Sequence, residues 1–171
     1  MKHKSIILII VIAVAAAAFF LKPGEKSFKT IMAVGSPAPA FELRDSTGKL
    51  WKLSELKGKV VFINFWATWC TTCKAETPHK VTLFNTMQGK PFQMLGVLYR
   101  DSPENLPSYF RKHNISSPTL IDPANEMAKL YGITGVPETF ILDKEGILRE
   151  RVIGPREWSS PESVAIIEKW L

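Results

Sequence analysis

Apolar and polar positions along the chain predict strands that alternate with helices. Val60–Trp66 ("VVFINFW") is a nearly continuous apolar run, which is typical of a strand buried on both faces. Residues 92–99 ("FQMLGVLY") predict a second buried strand. Between the two strands, residues 70–87 predict a helix, in which Pro78 should introduce a kink.

The segments on either side continue this alternation. Residues 41–53 predict a hairpin that turns at Asp45–Gly48. Residues 101–114 predict a helix that is capped by Ser102 and has Pro103 at its first position. The remaining elements are a short strand at 118–122, a short helix at 124–133 ended by Gly132, a hairpin turned at Asp143–Gly146, and a closing helix with Ser160 as its cap and Pro161 at its start. Strands and helices in this order predict a layered α/β domain.

The amino terminus ("MKHKSIILIIVIAVAAAAFFLKPG") has a different character. Lys2 and Lys4 precede 17 uncharged residues, Ser5–Leu21, and this length lies between a membrane-spanning helix and a signal-peptide core. We predict an uncleaved membrane anchor at 1–22, because the apolar run continues beyond its alanines; cleavage after those alanines is the alternative. Residues 23–39 predict a linker, and residues 40–171 predict the folded domain.

Composition and charge narrow the possible functions. Of the 171 residues, 46% are hydrophobic, which is enough for an ordinary core. The net charge of +6 is concentrated at the amino terminus, where the first 30 residues carry five lysines and one glutamate. The rest carries 17 Lys and Arg against 15 Asp and Glu, without a basic run. We therefore expect no nucleic-acid partner.

The only two cysteines, Cys70 and Cys73, form a Cys-x-x-Cys pair with three possible uses. Structural zinc needs four ligands, and the chain has no second cysteine pair, so no metal site of that kind is expected. Copper bound by both thiolates and His79 remains possible. A disulfide that closes so short a loop would stabilise the fold little.

A redox pair is the use that the surroundings favour. Cys70 falls at the predicted strand-to-helix junction, where helical N–H groups and the helix dipole favour a thiolate. Cys73, one turn into the helix, is then placed to resolve a mixed disulfide. Trp66 and Trp69 are expected to wall the site and to shield it from water, with Trp69 the better candidate for contact.

Two separated stretches, "VVFINFWATWCTTC" and "GVPETF", resemble the thioredoxin superfamily. Within it, residues 34–171 and the amino-terminal anchor resemble the membrane-anchored reductases of the TlpA/ResA/CcmG cytochrome c maturation group. The resemblance implies a thioredoxin-like fold with a central mixed sheet flanked by helices, an amino-terminal β-hairpin and a central helical insertion. It also implies that Pro137 is a cis-proline facing the cysteines, and that Val136 offers its backbone to substrate.

The resemblance further implies roles for two acidic residues. Ordinary thioredoxins carry a buried aspartate six residues before the first cysteine, where this chain has Asn64, as the maturation group tends to have. Glu76 occupies the acidic position of that group's Cys-x-x-Cys-x-x-Glu pattern. It is expected to be half-buried, with a raised pKa, and to exchange a proton with Cys73. Glu138 is expected either to help read the substrate or to be an exposed charge at the start of a strand. Thr71-Thr72 replaces the proline that many relatives carry, which leaves the reduction potential open.

The expected activity is reduction of the Cys-x-x-Cys-His disulfide of apocytochrome c on the outer face of a bacterial cytoplasmic membrane. The redox-active Cys70–Cys73 disulfide would be the only redox group, without a bound cofactor, and a membrane thiol donor of the CcdA/DsbD type would re-reduce it. The alternatives are a periplasmic disulfide reductase that is general or acts on another exported client, copper delivery by Cys70, Cys73 and His79 and, less favoured, a peroxidase. Peroxiredoxins place a threonine three residues before the reactive cysteine, where this chain has Ala67.

Overall fold

A five-stranded mixed sheet organises residues 32–171, the part of the chain that the computed structural model describes. The strands are β1 Glu42–Arg44, β2 Leu50–Lys52, β3 Val60–Trp66, β4 Phe92–Leu98, β5 Thr119–Ile121, β6 Glu138–Leu142 and β7 Leu148–Ile153. The helices are α1 Thr71–Thr86, α2 Leu106–His113, α3 Glu126–Leu130 and α4 Pro161–Glu168. Short 3-10 helices lie at Leu53–Leu56 and Pro103–Asn105.

The sheet order is β5-β4-β3-β6-β7, so the most hydrophobic strand, β3, lies at the centre. β3 pairs in parallel with β4 and antiparallel with β6, and all seven of its residues are buried. β1 and β2 form a separate antiparallel hairpin. The predicted thioredoxin-like arrangement is therefore confirmed, with an amino-terminal hairpin and helical segments inserted between β4 and β6.

Alternate residues of β3 supply the cores on the two faces of the sheet. On one face, Phe65 packs with Tyr131 and Phe140, at ring-centroid distances of 5.7 and 5.8 Å. On the other face, the rings of Phe62 and Trp158 meet edge to face at 4.8 Å. These two cores fix β3, and with it the loop that follows its carboxyl end.

Some residues of the predicted linker contact the folded domain. Met32 is buried in the core, and the backbone of Gly35 donates a hydrogen bond to the carbonyl of Leu148 at 2.7 Å. Met32 and the backbone of Gly35 are therefore held against the domain, whereas the side chain of Val34 is exposed. The predicted anchor at 1–22 and the start of the predicted linker lie outside the described residues. Within 32–171, no helix combines the length and the apolar character that crossing a bilayer requires.

One of the two predicted helix caps, Ser160, is present, and the other, Ser102, is not; Cys70 is a further N-cap. Cys70 and Ser160 occupy the N-cap positions of α1 and α4, and each side chain accepts a backbone N–H bond from three residues ahead. Ser102 precedes the 3-10 turn at Pro103–Asn105 but makes no such bond. Its hydroxyl instead donates to the carboxylate of Glu104.

Candidate active site

The two cysteines form a disulfide at the amino end of α1, directly behind the carboxyl end of β3. The backbone N–H of Cys73 donates to Cys70 Sγ at 3.1 Å, and Thr72 Oγ1 lies 3.4 Å from the same sulfur. In the reduced protein these donors and the dipole of a 16-residue helix would stabilise a thiolate on Cys70. No comparable donor contacts Cys73 Sγ among the described residues.

The two tryptophans near the cysteines differ in their exposure. Trp66 is buried in one cluster with both cysteines, and its ring packs on Tyr109 at 5.1 Å between centroids. Trp69 is 56% exposed, and its indole N–H donates to the carbonyl of Arg100 at 3.1 Å. The buried wall beside the cysteines is therefore Trp66. Trp69 directly precedes Cys70 and has a largely exposed ring.

Asp101, which the sequence analysis missed, fixes the loop before the cysteines. Its Oδ2 accepts bonds from both the backbone N–H and the hydroxyl of Thr68, each at 2.6 Å. Although burial alone would raise the pKa of Asp101, these bonds and others from Ser102 and Asn105 lower it below the ordinary value. A carboxylate just beyond the end of buried β4 was the available clue, because such strand ends flank sites in α/β sheets.

The cis-proline implied by the resemblance is present. The Val136–Pro137 peptide bond is cis, and the carbonyl oxygen of Val136 lies 3.6 Å from Cys70 Sγ. Gly154 N–H donates to the carbonyl of Pro137 at 2.9 Å, which ties this loop to the end of β7. The two motifs, separated by more than sixty residues of sequence, thus meet at one sulfur atom.

Glu138 is not an exposed charge at the start of a strand, so that expectation for it is wrong. It is fully buried and pairs with Arg151 at 2.5 Å. The guanidinium of Arg151 also donates to the carbonyl of Gly132 at 3.0 Å, and Glu138 Oε2 accepts a long bond from Thr134 N–H at 3.4 Å. This buried ion pair, whose Glu138 directly follows Pro137, therefore stabilises the loop that carries the cis-proline.

Glu76 lies on the face of α1 that carries Cys73 and is more deeply buried than expected, at 2% exposure. Its Oε1 accepts a hydrogen bond from the indole N–H of Trp158, whereas Oε2 is buried without a partner. Burial raises the pKa of Glu76, and the positive charge of Lys80 opposes that rise. A buried carboxylate with a raised pKa is suited to accept and release a proton during catalysis.

His79, the third ligand of the copper alternative, points to another contact. Its Nδ1 lies 2.8 Å from Ser159 Oγ. Within residues 32–171, no three His, Cys, Asp or Glu side chains are grouped closely enough to hold a metal ion. The geometry therefore supplies no observation in favour of copper binding.

Comparisons with known proteins agree with a thiol-based site. The sequence profile of the AhpC/TSA family matches residues 34–151. The thiol-disulfide oxidoreductase ResA of Geobacillus thermodenitrificans is 31% identical over 147 residues, covering 86% of this chain and 84% of that protein. ResA of Bacillus subtilis is 29% identical over 146 residues, covering 85% and 82% respectively.

A solved structure gives the same result for the fold. The thiol:disulfide interchange protein of the thioredoxin family from Chlorobium tepidum superposes with a TM-score of 0.70 at 27% identity. The superposition covers 81% of this chain and 97% of that one. The similarity therefore includes the sheet, the helices around it and the loop that carries the cysteines.

Proposed function

The chain belongs to the AhpC/TSA family and is a thiol-disulfide oxidoreductase, and we propose that it reduces disulfides in exported proteins. The specific client in this proposal is the Cys-x-x-Cys-His haem site of apocytochrome c, which must be reduced before haem is attached. The observation that carries the proposal is the buried Glu76, one turn behind the helix-capping cysteine pair. The acid completes the pattern of the maturation group.

The first step is attack by Cys70 on a client disulfide. Cys70 caps α1 and receives the Cys73 N–H bond, so its thiolate is the more stable of the two. The thiolate forms a mixed disulfide with one client sulfur, and the other client sulfur leaves as a thiolate. Cys70 therefore needs to be deprotonated at working pH, while Cys73 remains a thiol.

The second step resolves this intermediate. Cys73 is fully buried, so its thiol cannot lose a proton directly to solvent. The Glu76 carboxylate accepts that proton, Cys73 attacks Cys70 Sγ, and the second client sulfur leaves. The enzyme dithiol thereby becomes the Cys70–Cys73 disulfide, and two electrons pass to the client.

Client binding uses the cis-proline loop and Trp69. The Val136 backbone lies beside Cys70, where an extended client segment can pair with it as an added strand. Trp69 directly precedes the reactive Cys70, and its exposed ring would offer an aromatic surface to the residues flanking the client disulfide. Glu138 acts only indirectly, because its carboxylate is buried in the pair with Arg151.

The proposed location is the outer face of a bacterial cytoplasmic membrane. The apolar segment at 1–22 would be a single-pass anchor, and Lys2 and Lys4 would remain in the cytoplasm. A thiol pair that acts as a reductant in an oxidising compartment needs a continuous supply of electrons. A membrane thiol donor of the CcdA/DsbD type would provide it through exchange with the Cys70–Cys73 disulfide.

The test is a covalent trap in the native membrane. The full-length Cys73→Ser protein lacks the resolving thiol, so its Cys70 should retain clients as mixed disulfides. Captured proteins are released with a reductant and identified by mass spectrometry, with Cys70→Ser,Cys73→Ser as the matched control. Recovery of apocytochrome c supports the proposed client. Recovery of many unrelated exported proteins, together with normal cytochrome c in a deletion strain, would replace it with a general reductase.

A further inference from the structure

A lysine two turns behind the cysteines has unusual surroundings. Lys80 lies partly at the surface, but its ammonium group points inward. Nζ donates to the amide oxygen of the buried Asn64 at 2.6 Å and lies 5.7 Å from the centre of the Trp66 ring. Glu76 precedes it by one turn on the same face of α1. Burial lowers the pKa of Lys80 to about 8.

The ammonium borders a small cavity between α1 and the sheet. The cavity measures about 30 Å³ and is lined mainly by apolar surface, and its polar lining residues are Asn64, Thr77, Lys80, Ser117 and Thr119. It has the volume and the polar lining that a single water molecule requires. The hydroxyl of Thr77 also donates to the carbonyl of Cys73 at 2.8 Å. The cavity is therefore separated from the resolving cysteine by one helical turn.

We propose that Lys80 is a positioning residue for the reaction, whose buried charge keeps the Glu76 carboxylate ionised and ready to accept the Cys73 proton. This inference rests on the proposed role of Glu76. The neutral amide of Asn64 anchors the ammonium without cancelling its charge, so that the charge remains available to Glu76. Glu76 Oε2, which is buried without a partner, is the atom that needs such support.

The other charged groups around the pair do not replace Lys80. His79 also lowers the pKa of Glu76, but it contributes less than Lys80 does. Glu76 lines an open groove together with Arg156 and Glu157, which carry opposite charges and precede α4. The hydroxyl of Tyr109 of α2 lies 3.3 Å from that of Thr77. The groups facing the pair are His79, Arg156, Glu157 and Tyr109. From β3, β4 and β5, only uncharged side chains line the Lys80 cavity.

The charge of Lys80 fixes the direction of the expected effect. Burial already raises the pKa of Glu76, and removing the positive charge raises it further. As the pH is lowered, Glu76 in the variant therefore becomes protonated at a higher pH than in the parent protein. Once protonated, it can no longer accept the Cys73 proton. The rate of the resolving step should therefore begin to fall at a higher pH, with a shift on the order of one pH unit.

The resolving step can be isolated in the reduced full-length protein. Ellman's reagent, an aromatic disulfide, releases one coloured thiolate when Cys70 attacks and a second when Cys73 resolves. The second phase is independent of reagent concentration, and its pH profile reports on Glu76. Lys80→Gln removes the charge but keeps a donor for Asn64, whereas Lys80→Arg keeps the charge. Lys74→Met removes an exposed charge from the same helix and is the matched control.

The acid limb is the fall in the rate of the second phase as the pH is lowered. Lys80→Gln should shift the midpoint of this limb to higher pH. Lys80→Arg and Lys74→Met should leave the midpoint within about 0.2 pH units of that of the parent protein. Lys80→Met is the second uncharged variant, in case the glutamine protein does not fold. If Glu76→Gln abolishes the limb and neither uncharged Lys80 variant shifts it, the inference about Lys80 is overturned while Glu76 keeps its role. If Glu76→Gln also leaves the limb unchanged, the proposed role of Glu76 fails and the inference fails with it.

Discussion

Replacing Arg151 with methionine should destabilise the protein strongly, because it leaves the Glu138 carboxylate buried without its charge partner. Arg151 is the only cation paired with this fully buried group among residues 32–171, and it donates from two nitrogens at 2.5 and 2.6 Å. The remaining bond, from Thr134 N–H, is long at 3.4 Å. Breaking a buried pair from one side costs about 3–5 kcal/mol.

Urea unfolding followed by circular dichroism measures this loss. Arg149→Met is the matched control on the same strand: Arg149 pairs with Asp143 at 2.6 Å but is 34% exposed, and Asp143 keeps backbone N–H bonds from Glu145 and Ile147. The control should lose only about 1 kcal/mol.

The double variant Glu138→Gln,Arg151→Met separates loss of the ion pair from loss of packing. It should recover part of the stability, because no buried charge remains unpaired. The single Arg151→Met protein should also bind a disulfide peptide more weakly, since the pair braces the cis-proline loop. An unfolding free energy within about 1 kcal/mol of the parent would refute this account of Glu138.

Three further predictions follow from single contacts. Gly96→Ala should lose about 1–3 kcal/mol and alter tryptophan fluorescence, because its Cβ would lie 2.7 Å from Trp66 Nε1; Gly135→Ala, which meets open space, should stay within about 0.5 kcal/mol. Asp101→Ala removes two hydrogen bonds that hold the loop before the cysteines. Reduction of a peptide disulfide should therefore slow, and the free energy of unfolding should fall by about 2 kcal/mol. Burial alone would raise the pKa of Asp45, but hydrogen bonds lower it; its stabilising effect, present above the unfolded pKa of about 3.9, should be lost as pH falls through the folded value. Measured by urea unfolding from about pH 2 to pH 6, the free energy of unfolding should depend less on pH in Asp45→Asn than in the parent protein.

The cysteine site could be predicted because it depends on neighbouring positions. A buried strand, a cap and a helix follow one another in β3 and α1, and Cys70, Cys73 and Glu76 occupy fixed positions within that unit. Helical periodicity alone puts the acid one turn behind the second cysteine. Local patterns of this kind require no knowledge of what packs against the helix.

The partners of these residues depend on long-range packing, which the sequence did not indicate. Trp158, which covers Glu76, lies 82 positions away from it, and Asp101 lies 33 positions from the loop it holds. Glu138 was misjudged for a related reason. The register of β6 against β7 includes an irregularity at Ile141/Leu142, and only that register makes Arg151 the diagonal neighbour of Glu138.

The two sulfurs must behave differently for the reaction to run in one direction at each step, and their surroundings account for this difference. Cys70 has a backbone N–H and the end of α1 to stabilise its negative charge, so it can attack without a base. Cys73 is enclosed by apolar side chains, which favour the neutral thiol until a mixed disulfide has formed. In the proposed mechanism its deprotonation then depends on Glu76, whose pKa is raised by burial and lowered by the charge of Lys80. That mechanism would place control of the resolving step on the interior face of α1, away from the surface proposed to meet the client.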